Sequence, residues 1–555
     1  MIGQRLHGTD GIRGLISDCD ESENPIEKLI LQREISPYLM RVIGFATGSV
    51  IIEQKGGKNP PLVVIGWDRR SGNDKLVSSL RVGLQEAGCV IQLVGELPTP
   101  GLHHCLLLLE ADAGMMVTAS HNPATDSGVK LFDKNGYKSM PPLEDLISVH
   151  AWNYVSQPQA ESTPQSLDPR ELPIFDGLRA YRKHLKNWLN VLSTTLGVDV
   201  DSISDSICPQ GLILDCSGGA STDWFSFGLA RRGLECEEVS SLEQPINHNC
   251  GAGEFSSTDC WSIAELLETE HQHLLLIEIA ERLKENDGMT PWGDGQLIGA
   301  ALDGDGDRCL LIEGTKDGVK IVDGDQMGFD WLHSLKKSGH MQLKLAHSIE
   351  SDLCLPATCS DLGIETIQTA IGDRWLSDSL RSKNDVKNQL INAEEMPSIC
   401  GCEDSGHLVM PTPHPTKPYY WGLAGDGAAT LLAQLFARAK LGDGRVNVAR
   451  GWKVRMGIKD TDRTLWDGSN ELSEMVEQLV SQELGEGVLH RQKIDGEANL
   501  LLLSGSLDGV DISIGIRNSG TEAKTSVTTR TSDTGVDLSQ LTNKIVDLLK
   551  LHLTK

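Results

Sequence analysis

Five short polar stretches carry residue types and spacings able to do chemistry. In Asp303-Gly304-Asp305-Gly306-Asp307-Arg308, three carboxylates stand at alternate positions with only glycine between them. Glycine permits the tight backbone path this needs, and clustered hard oxygens suit Mg²⁺ or Ca²⁺ over zinc. A calcium EF-hand counted from Asp303 would need glycine at its sixth position and glutamate at its twelfth; Arg308 and Gly314 stand there. Three carboxylates also leave coordination positions open, as a metal that holds a phosphate requires. Thr118-Ala119-Ser120-His121-Asn122-Pro123 puts a hydroxyl in a loop marked by Asn-Pro. No G-x-S-x-G elbow surrounds Ser120 and no Ser-His-Asp order is recognisable. Ser120 is a nucleophile only if the aspartate loop meets it, where a metal can neutralise a phosphoryl group carried on the serine. Glu403-Asp404-Ser405-Gly406-His407 mixes carboxylate, hydroxyl and imidazole, a set suited to sugar hydroxyls, which both donate and accept. Arg517-Asn518-Ser519-Gly520-Thr521 reads as a phosphate cradle of guanidinium fork, hydroxyls and glycine amides, or as a plain hairpin turn. Gly8-Thr9-Asp10-Gly11-Ile12-Arg13-Gly14 either brings the cation of Arg13 to a reacting phosphate or only turns between strands.

The elements that must position these loops show a threefold pattern. Leu62 to Ile65 is an apolar run, Asp74 to Ala87 has helical periodicity, Gly88 stops it, and Val90 to Val94 is a second strand. The order recurs from Leu212 to Leu214 through Gly233 to Glu235–Val239, and again from Leu345 to Ile349 through Gly363 to Glu365–Thr369. The three glycines lie one domain length apart. Each copy ends in an apolar stretch that runs into one of the loops: Gly114–Val117 into Ser120, Ile298–Leu302 into Asp303, Ile399–Cys402 into Glu403. Ligands of open α/β sheets sit outside the carboxyl ends of strands, so the three loops are expected to face one cleft. The C-terminal part differs, with strands over Asp511–Ile516 and Lys524–Thr529 and an amphipathic helix over Leu538–Leu551. The predicted fold is α/β: three similar domains with mixed, mostly parallel sheets, then a smaller α+β domain. Boundaries are placed at 1–168, 169–325, 326–447 and 448–555. Ser156 to Pro173, rich in Pro, Ser and Gln, is expected to be a linker. Gly233 to Asp303 is longer than its counterpart and holds an apparent insertion with a helix over His271–Asn286.

Composition narrows the function. The chain has 555 residues with 50 Lys+Arg against 78 Asp+Glu, a formal net charge of −28. Such a surface repels phosphate backbones and anionic membranes, so neither nucleic acid nor membrane is expected as a partner. No apolar run is long enough to span a bilayer, and the first residues read as folded protein rather than a signal peptide. Thirteen cysteines without a C-x-x-C pair favour reduced thiols in a cytoplasmic enzyme.

Taken together and in this order, the loops resemble those of the α-D-phosphohexomutase superfamily, and the resemblance spans essentially the whole chain. Its details lean toward the branch that acts on glucosamine phosphate, through Gly8 to Gly14, Leu97-Pro98-Thr99-Pro100, Ile246-Asn247 with Cys250-Gly251, Val322-Asp323-Gly324-Asp325, Gly372-Asp373-Arg374 and Gly425-Asp426-Gly427. Ala523 departs from the proline usual there, and the second domain is long. The resemblance implies an intramolecular phosphotransferase, an isomerase of amino-sugar biosynthesis. Ser120 would carry a phosphoryl group bound to Mg²⁺ held by Ser120, Asp303, Asp305 and Asp307. That group would pass to a hexose monophosphate, forming a sugar 1,6-bisphosphate that reorients and returns its other phosphate to Ser120. Arg13 would stabilise the transferring group, Lys130 would be the general base, and His121 and Arg308 would support the site. Gly372, Asp373, Arg374, Glu403, Ser405 and His407 would meet the substrate. Arg517, Asn518, Ser519, Gly520 and Thr521 would hold its non-reacting phosphate. The same chemistry on mannose or glucose phosphate, a metal-dependent phosphatase and a sugar-phosphate sensor are the alternatives. Oligomeric state is left open.

Overall fold

The computed structural model of the chain describes residues 5–18, 23–56, 59–156, 173–200, 203, 207–381, 390–519 and 524–554. Most of the expected linker, and Gly520 and Thr521 of the phosphate loop, lie outside these residues.

Three six-stranded sheets follow one another along the chain. The first contains β1 (Ile12–Ile16), β2 (Glu34–Ile35), β3 (Leu62–Trp67), β4 (Val90–Glu96), β5 (Ala113–Val117) and β6 (Asp126–Asp133), ordered β2-β1-β6-β5-β3-β4. The second contains β7 (Leu212–Asp215), β8 (Cys236–Glu238), β9 (Cys260–Ser262), β10 (Leu297–Leu302), β11 (Cys309–Thr315) and β12 (Gly318–Val322), ordered β8-β7-β10-β11-β12-β9. The third contains β13 (Lys344–Ser348), β14 (Glu365–Thr369), β15 (Ile391–Asn392), β16 (Ile399–Cys402), β17 (Leu408–Pro413) and β18 (Tyr420–Gly425), ordered β14-β13-β16-β17-β18-β15. Read from one edge, the three orders coincide, so β5, β10 and β16 hold the same interior position. The expected repeat is therefore a repeat of topology. The first sheet is permuted, since β1 precedes its partners in sequence whereas β12 and β18 follow theirs.

Parallel pairing joins β4-β3-β5, β8-β7-β10 and β14-β13-β16, and antiparallel pairing carries each sheet onward through β6, β11 or β17. The parallel share is thus smaller than expected. The cause is the loops themselves. A parallel return needs a crossover of a dozen or more residues, but β5 to β6, β10 to β11 and β16 to β17 are joined by short turns. Ser120, the three aspartates and Glu403 all sit in hairpin turns at equivalent corners of equivalent sheets.

The helices explain how the modules lock. Gly88, Gly233 and Gly363, read as helix stops, adopt φ of +100°, +84° and +67°, the left-handed conformation that ends a helix without a Cβ penalty. Helix Gly324–Lys337 packs its buried face on β13 and β16 of the third sheet, while helix Gly427–Leu441 contacts β10 and β11 of the second. Phe329, Trp331, Leu431 and Leu435 accordingly belong to one core with Leu214, Leu302, Leu345 and Cys402. The apparent insertion is part of the second module: helix Leu274–Glu285 covers one face of its sheet through Leu275, Ile279 and Leu283, and β9 closes its edge beside β12. The fourth module is an antiparallel sheet of β19 (Trp452–Lys459), β20 (Leu489–Gln492), β21 (Leu501–Leu507), β22 (Val510–Asn518) and β23 (Lys524–Thr531), ordered β19-β23-β22-β21-β20. Helices Glu471–Leu484 and Ser539–Leu553 pack on it.

Candidate active site

The serine and aspartate turns meet. Ser120 Oγ donates to Asp303 Oδ2 at 2.7 Å, and both residues are fully buried. Ser120 itself adopts φ +55°, a conformation that costs a non-glycine residue on the order of 1–3 kcal/mol unless its surroundings enforce it. They do. The Ser120 carbonyl accepts from Arg70 Nη2 at 2.6 Å and from Asn247 Nδ2 at 2.7 Å, its amide donates to Thr118 Oγ1 at 2.9 Å, and both Arg70 and Asn247 also bind the Asn122 carbonyl at 2.9 Å. The hydroxyl is thereby aimed out of the turn and across to the second module.

The aspartate turn offers three carboxylates whose nearest oxygens lie within 4.8 Å of one another. Asp305 Oδ1 is buried without a hydrogen-bond donor among the described residues, and Asp307 Oδ1 faces the imidazole of His407. The charge is balanced by cations from the first module. Lys130 Nζ stands 2.7 Å from Asp305 Oδ2, 2.6 Å from Asp307 Oδ2 and 3.2 Å from Asp10 Oδ2. Lys138 bridges Asp10 at 2.9 Å, Asp373 at 2.9 Å and Asp307 at 3.4 Å. Thr99 donates to Asp305 through its hydroxyl, and its amide holds the Asp305 carbonyl at 2.8 Å. Burial, then the Asp307 and Asp305 carboxylates, lift Asp303 to about 7. Burial also opposes charge on Asp307 and Lys130, but their opposite-charged neighbours win: Asp307 lies well below the carboxylate range and Lys130 well above the usual amine.

The third module closes the ring. His407 Nε2 lies 3.0 Å from Asp307 Oδ1 and its Nδ1 3.4 Å from Glu403 Oε2. Burial disfavours the imidazolium, yet Asp307 and Glu403 raise His407 to about 10. Glu403 Oε1 accepts the Gly372 amide at 2.6 Å. Arg308 donates its amide to Asp303 Oδ1 at 3.1 Å, and its Nε is buried without a partner among the described residues. Asp373, Asp307 and His407 form a second cluster of close donor atoms. Ser405 is half-buried on the same turn. Arg13 Nη2 pairs with Asp10 at 2.7 Å, and its Nη1 faces the Ala119 carbonyl and Asn122 Oδ1 at 3.4 Å, so the guanidinium flanks the serine turn. His121 Nδ1 is 3.5 Å from Ser120 Oγ.

Other expected site residues are placed differently. Arg374 binds Glu144 Oε1 at 2.6 Å and the Ser139 carbonyl at 3.1 Å, bracing the third module against the first. Asn518 spends its amide on the Arg463 and Trp466 carbonyls at 2.9 and 3.0 Å. Ser519 lends its carbonyl to Arg463 at 3.1 Å. Arg517 faces Glu350 at 3.9 Å and Glu497 at 3.6 Å. Among the described residues, no hydrogen bond or ion pair ties Arg517 to Ser120 or the three aspartates. Sequence spacing assigns no role to Arg70, Thr99, Asp10, Lys138 or Asn247; Asp10, Thr99 and Asn247 lie in motifs quoted above, whereas Arg70 and Lys138 lie in none. Their signal was a polar residue in a turn, which spacing alone does not distinguish from ordinary turn chemistry.

Fold and site define a protein of repeated α/β modules whose hairpin turns converge on one acidic centre. Two family models match, described as phosphoglucomutase/phosphomannomutase α/β/α domain I over residues 4–157 and domain III over residues 323–447, together half of the chain. The phosphoglucosamine mutase of Saccharopolyspora erythraea is 26% identical over 487 residues, 87% of this chain and 90% of its own length. Two solved structures share the fold, each with a TM-score of 0.60. The phosphoglucomutase/phosphomannomutase family protein of Burkholderia thailandensis is 18% identical and is matched over 100% of this chain and 98% of its own. The open form of the Paramecium phosphoglucomutase parafusin is 16% identical, matched over 99% and 94%. The chain belongs to the phosphoglucomutase/phosphomannomutase family, the enzymes of the α-D-phosphohexomutase superfamily.

Proposed function

We propose that the protein interconverts glucosamine 6-phosphate and glucosamine 1-phosphate through a phosphorylated Ser120 and a sugar 1,6-bisphosphate. The observation that carries the reading is the 2.7 Å contact of Ser120 Oγ with Asp303 inside the aspartate trio. The substrate is supported by the name borne by a relative aligned over 87% of the chain.

The donor set fits Mg²⁺: three carboxylates, no nitrogen or sulfur among them, and the Asp305 Oδ1 oxygen buried without a donor among the described residues. Asp303, Asp305 and Asp307 would hold the ion together with an oxygen on Ser120, and the bound ion would supply charge neutralisation for a phosphoryl group. The chain's own residues supply the rest. Phosphoryl transfer rests on positioning and charge stabilisation, and the Arg70 and Asn247 clamp fixes the hydroxyl before substrate arrives. Arg13 and Arg308 flank the serine and bring fixed positive charge to the equatorial oxygens. Lys130 is a cation while Asp305 and Asp307 hold it, so its base role requires those carboxylates to be engaged elsewhere. Glu403 and Ser405 offer acceptors and a hydroxyl to the sugar. Arg517 supplies the fork for the distal phosphate.

Intact-protein mass before and after incubation with glucose 1,6-bisphosphate and Mg²⁺, with peptide mapping, tests the phosphoserine. One added phosphoryl group on Ser120 is expected, absent in Ser120→Ala together with turnover. A phosphoryl group elsewhere, or an active Ser120→Ala, refutes the mechanism. A coupled assay across glucosamine, glucose and mannose phosphates tests the substrate; equal or faster turnover of either neutral sugar overturns that part. Stoichiometric release of free phosphate would make the protein a phosphatase instead.

A further inference from the structure

A cavity of about 450 Å³ lies outside the catalytic cleft, between helix Gly177–Leu196 and helix Trp224–Ala230, and helix Gly427–Leu441 reaches it through Leu432. Arg182, Lys183, Lys186, Arg231 and Arg232 ring it, and none of the described residues lining it is acidic. In a chain with 78 acids against 50 bases, five cations gathered without one carboxylate run against composition. Arg232 turns back on the Gly228 carbonyl at 2.6 Å, and the Arg182 and Arg231 guanidinium groups lie 6.0 and 5.7 Å from the Trp224 and Phe227 rings. No ion pair among the described residues neutralises any of the five. Like charges so placed repel, and an anion relieves them. The wall is aromatic and aliphatic, formed by Trp224, Phe225 and Leu185. The volume lies within the range of small-molecule sites.

We infer that this cavity is an effector site for a nucleoside phosphate, whose phosphates meet the cationic rim and whose base lies on the apolar wall. Arginine forks suit phosphate oxygens, and a flat base suits the Trp224 face. The site is coupled to the aspartate turn because each lining element is hydrogen-bonded close to it. The segment leading into helix Trp224–Ala230 donates Ala220 N to Gly304 O at 2.9 Å. The first residue of helix Gly427–Leu441 donates Gly427 N to Gly306 O at 2.9 Å. Helix Gly177–Leu196 holds Asp426 through Tyr181 Oη at 2.7 Å, and Asp426 caps the helix that reaches Gly306. A ligand that shifts these helices shifts the metal-binding turn, and linkage requires the reverse as well.

The test uses the full-length protein, titrated calorimetrically with ADP, UDP and GDP at about 0.15 M salt, with pyrophosphate and uridine as controls. The variant is Lys186→Glu with Arg231→Glu, two exposed residues remote from the serine and aspartate turns. Saturable one-to-one binding of at least one nucleotide is expected, at least tenfold tighter than either control and at least tenfold weaker in the variant. Basal turnover should be unchanged in the variant. Absence of saturation overturns the site, as does pyrophosphate binding equally well. Unchanged affinity in the variant, the result for a nucleotide held in the catalytic cleft, overturns it too. The coupling is read as a twofold or larger shift in the Mg²⁺ concentration giving half-maximal turnover; nucleotide binding with no such shift refutes the coupling. Binding is measured without sugar, so it fails or succeeds independently of the mutase reading.

Discussion

Ser120 is held in a left-handed conformation at φ +55° by groups that never touch the reacting atoms. This makes Asn247 a positioning residue with a measurable share in turnover. Asn247 is itself left-handed at φ +58°, so aspartate, which tolerates that backbone, is the cleaner probe than alanine. Asn247→Asp removes the amide that donates to the Ser120 carbonyl and puts a repelling oxygen there. A displaced nucleophile costs roughly 10²-fold in rate, so kcat is expected to fall by about that factor while KM and the melting temperature change little. An unaltered kcat would show that Arg70 alone suffices. The turn residues most directly concerned with chemistry, Ser120, Asp303, Asp305, Asp307, Glu403 and His407, stood out in the sequence because their types are informative at close spacing. Asn247 and Arg70 did not, because their work is done on carbonyl oxygens far away in the chain, and no local pattern encodes a carbonyl partner.

At the scale of elements, the two central modules are joined by a buried ionic cluster. Glu313 on β11 receives Arg438 Nη2 and Arg445 Nη1, each at 2.8 Å, and Lys320 at 3.1 Å, while Arg445 also binds Asp330 at 2.7 Å. Burial opposes the Glu313 charge, but Arg438 and Arg445 outweigh it and draw the carboxyl down to about 2. Removing one partner of such a cluster leaves the others buried and uncompensated, at a cost of about 3–5 kcal/mol. Glu313→Gln is therefore expected to lower the urea midpoint markedly with little effect on KM; a change below about 1 kcal/mol would mean that the arginines find water instead. This interlock also marks the limit of what patterning reveals. Strand-helix-glycine-strand order was legible because periodicity and the left-handed glycines are local signals. The exchange of helices Gly324–Lys337 and Gly427–Leu441 between sheets was not, since an apolar face states that it must be covered and not by what. Hairpin returns after β5, β10 and β16 were likewise hidden by reading each loop as an ending rather than a turn.

At the scale of the whole molecule, the contact of the first and third modules has a titratable seam. His103 and His104 come from helix Thr99–Leu108, His184 from helix Gly177–Leu196, and His414 follows β17. The His104 and His184 rings lie 4.5 Å apart, His184 Nε2 is 3.3 Å from Thr412 Oγ1, and His103 Nε2 is buried without a partner among the described residues. Burial, and then the neighbouring histidines, push His103 and His104 down to about 3 and His184 to about 4; burial and Lys417 lower His414 to about 4, with only Glu110 pulling the other way. The folded protein thus resists protonation that the unfolded chain accepts near pH 6.5. The stability these groups confer is full above that value and is lost as pH falls from about 6.5 toward 4, at up to about 1.4 kcal/mol per pH unit for each proton taken up on unfolding. Carboxyls raised by burial, such as Asp215 at about 6, act with the opposite sign, so the seam must be isolated by substitution. His104→Gln, at a half-buried position, is expected to flatten the fall in melting temperature between pH 7 and pH 4 relative to the parent. The same slope in both proteins would assign the acid sensitivity to other groups. If the seam does govern it, the first module separates from the third on acidification, and the Lys138 ion pair that joins the serine module to Asp373 opens with it, so activity should fall in the same pH window as protection of the Thr99–Leu108 amides from hydrogen exchange.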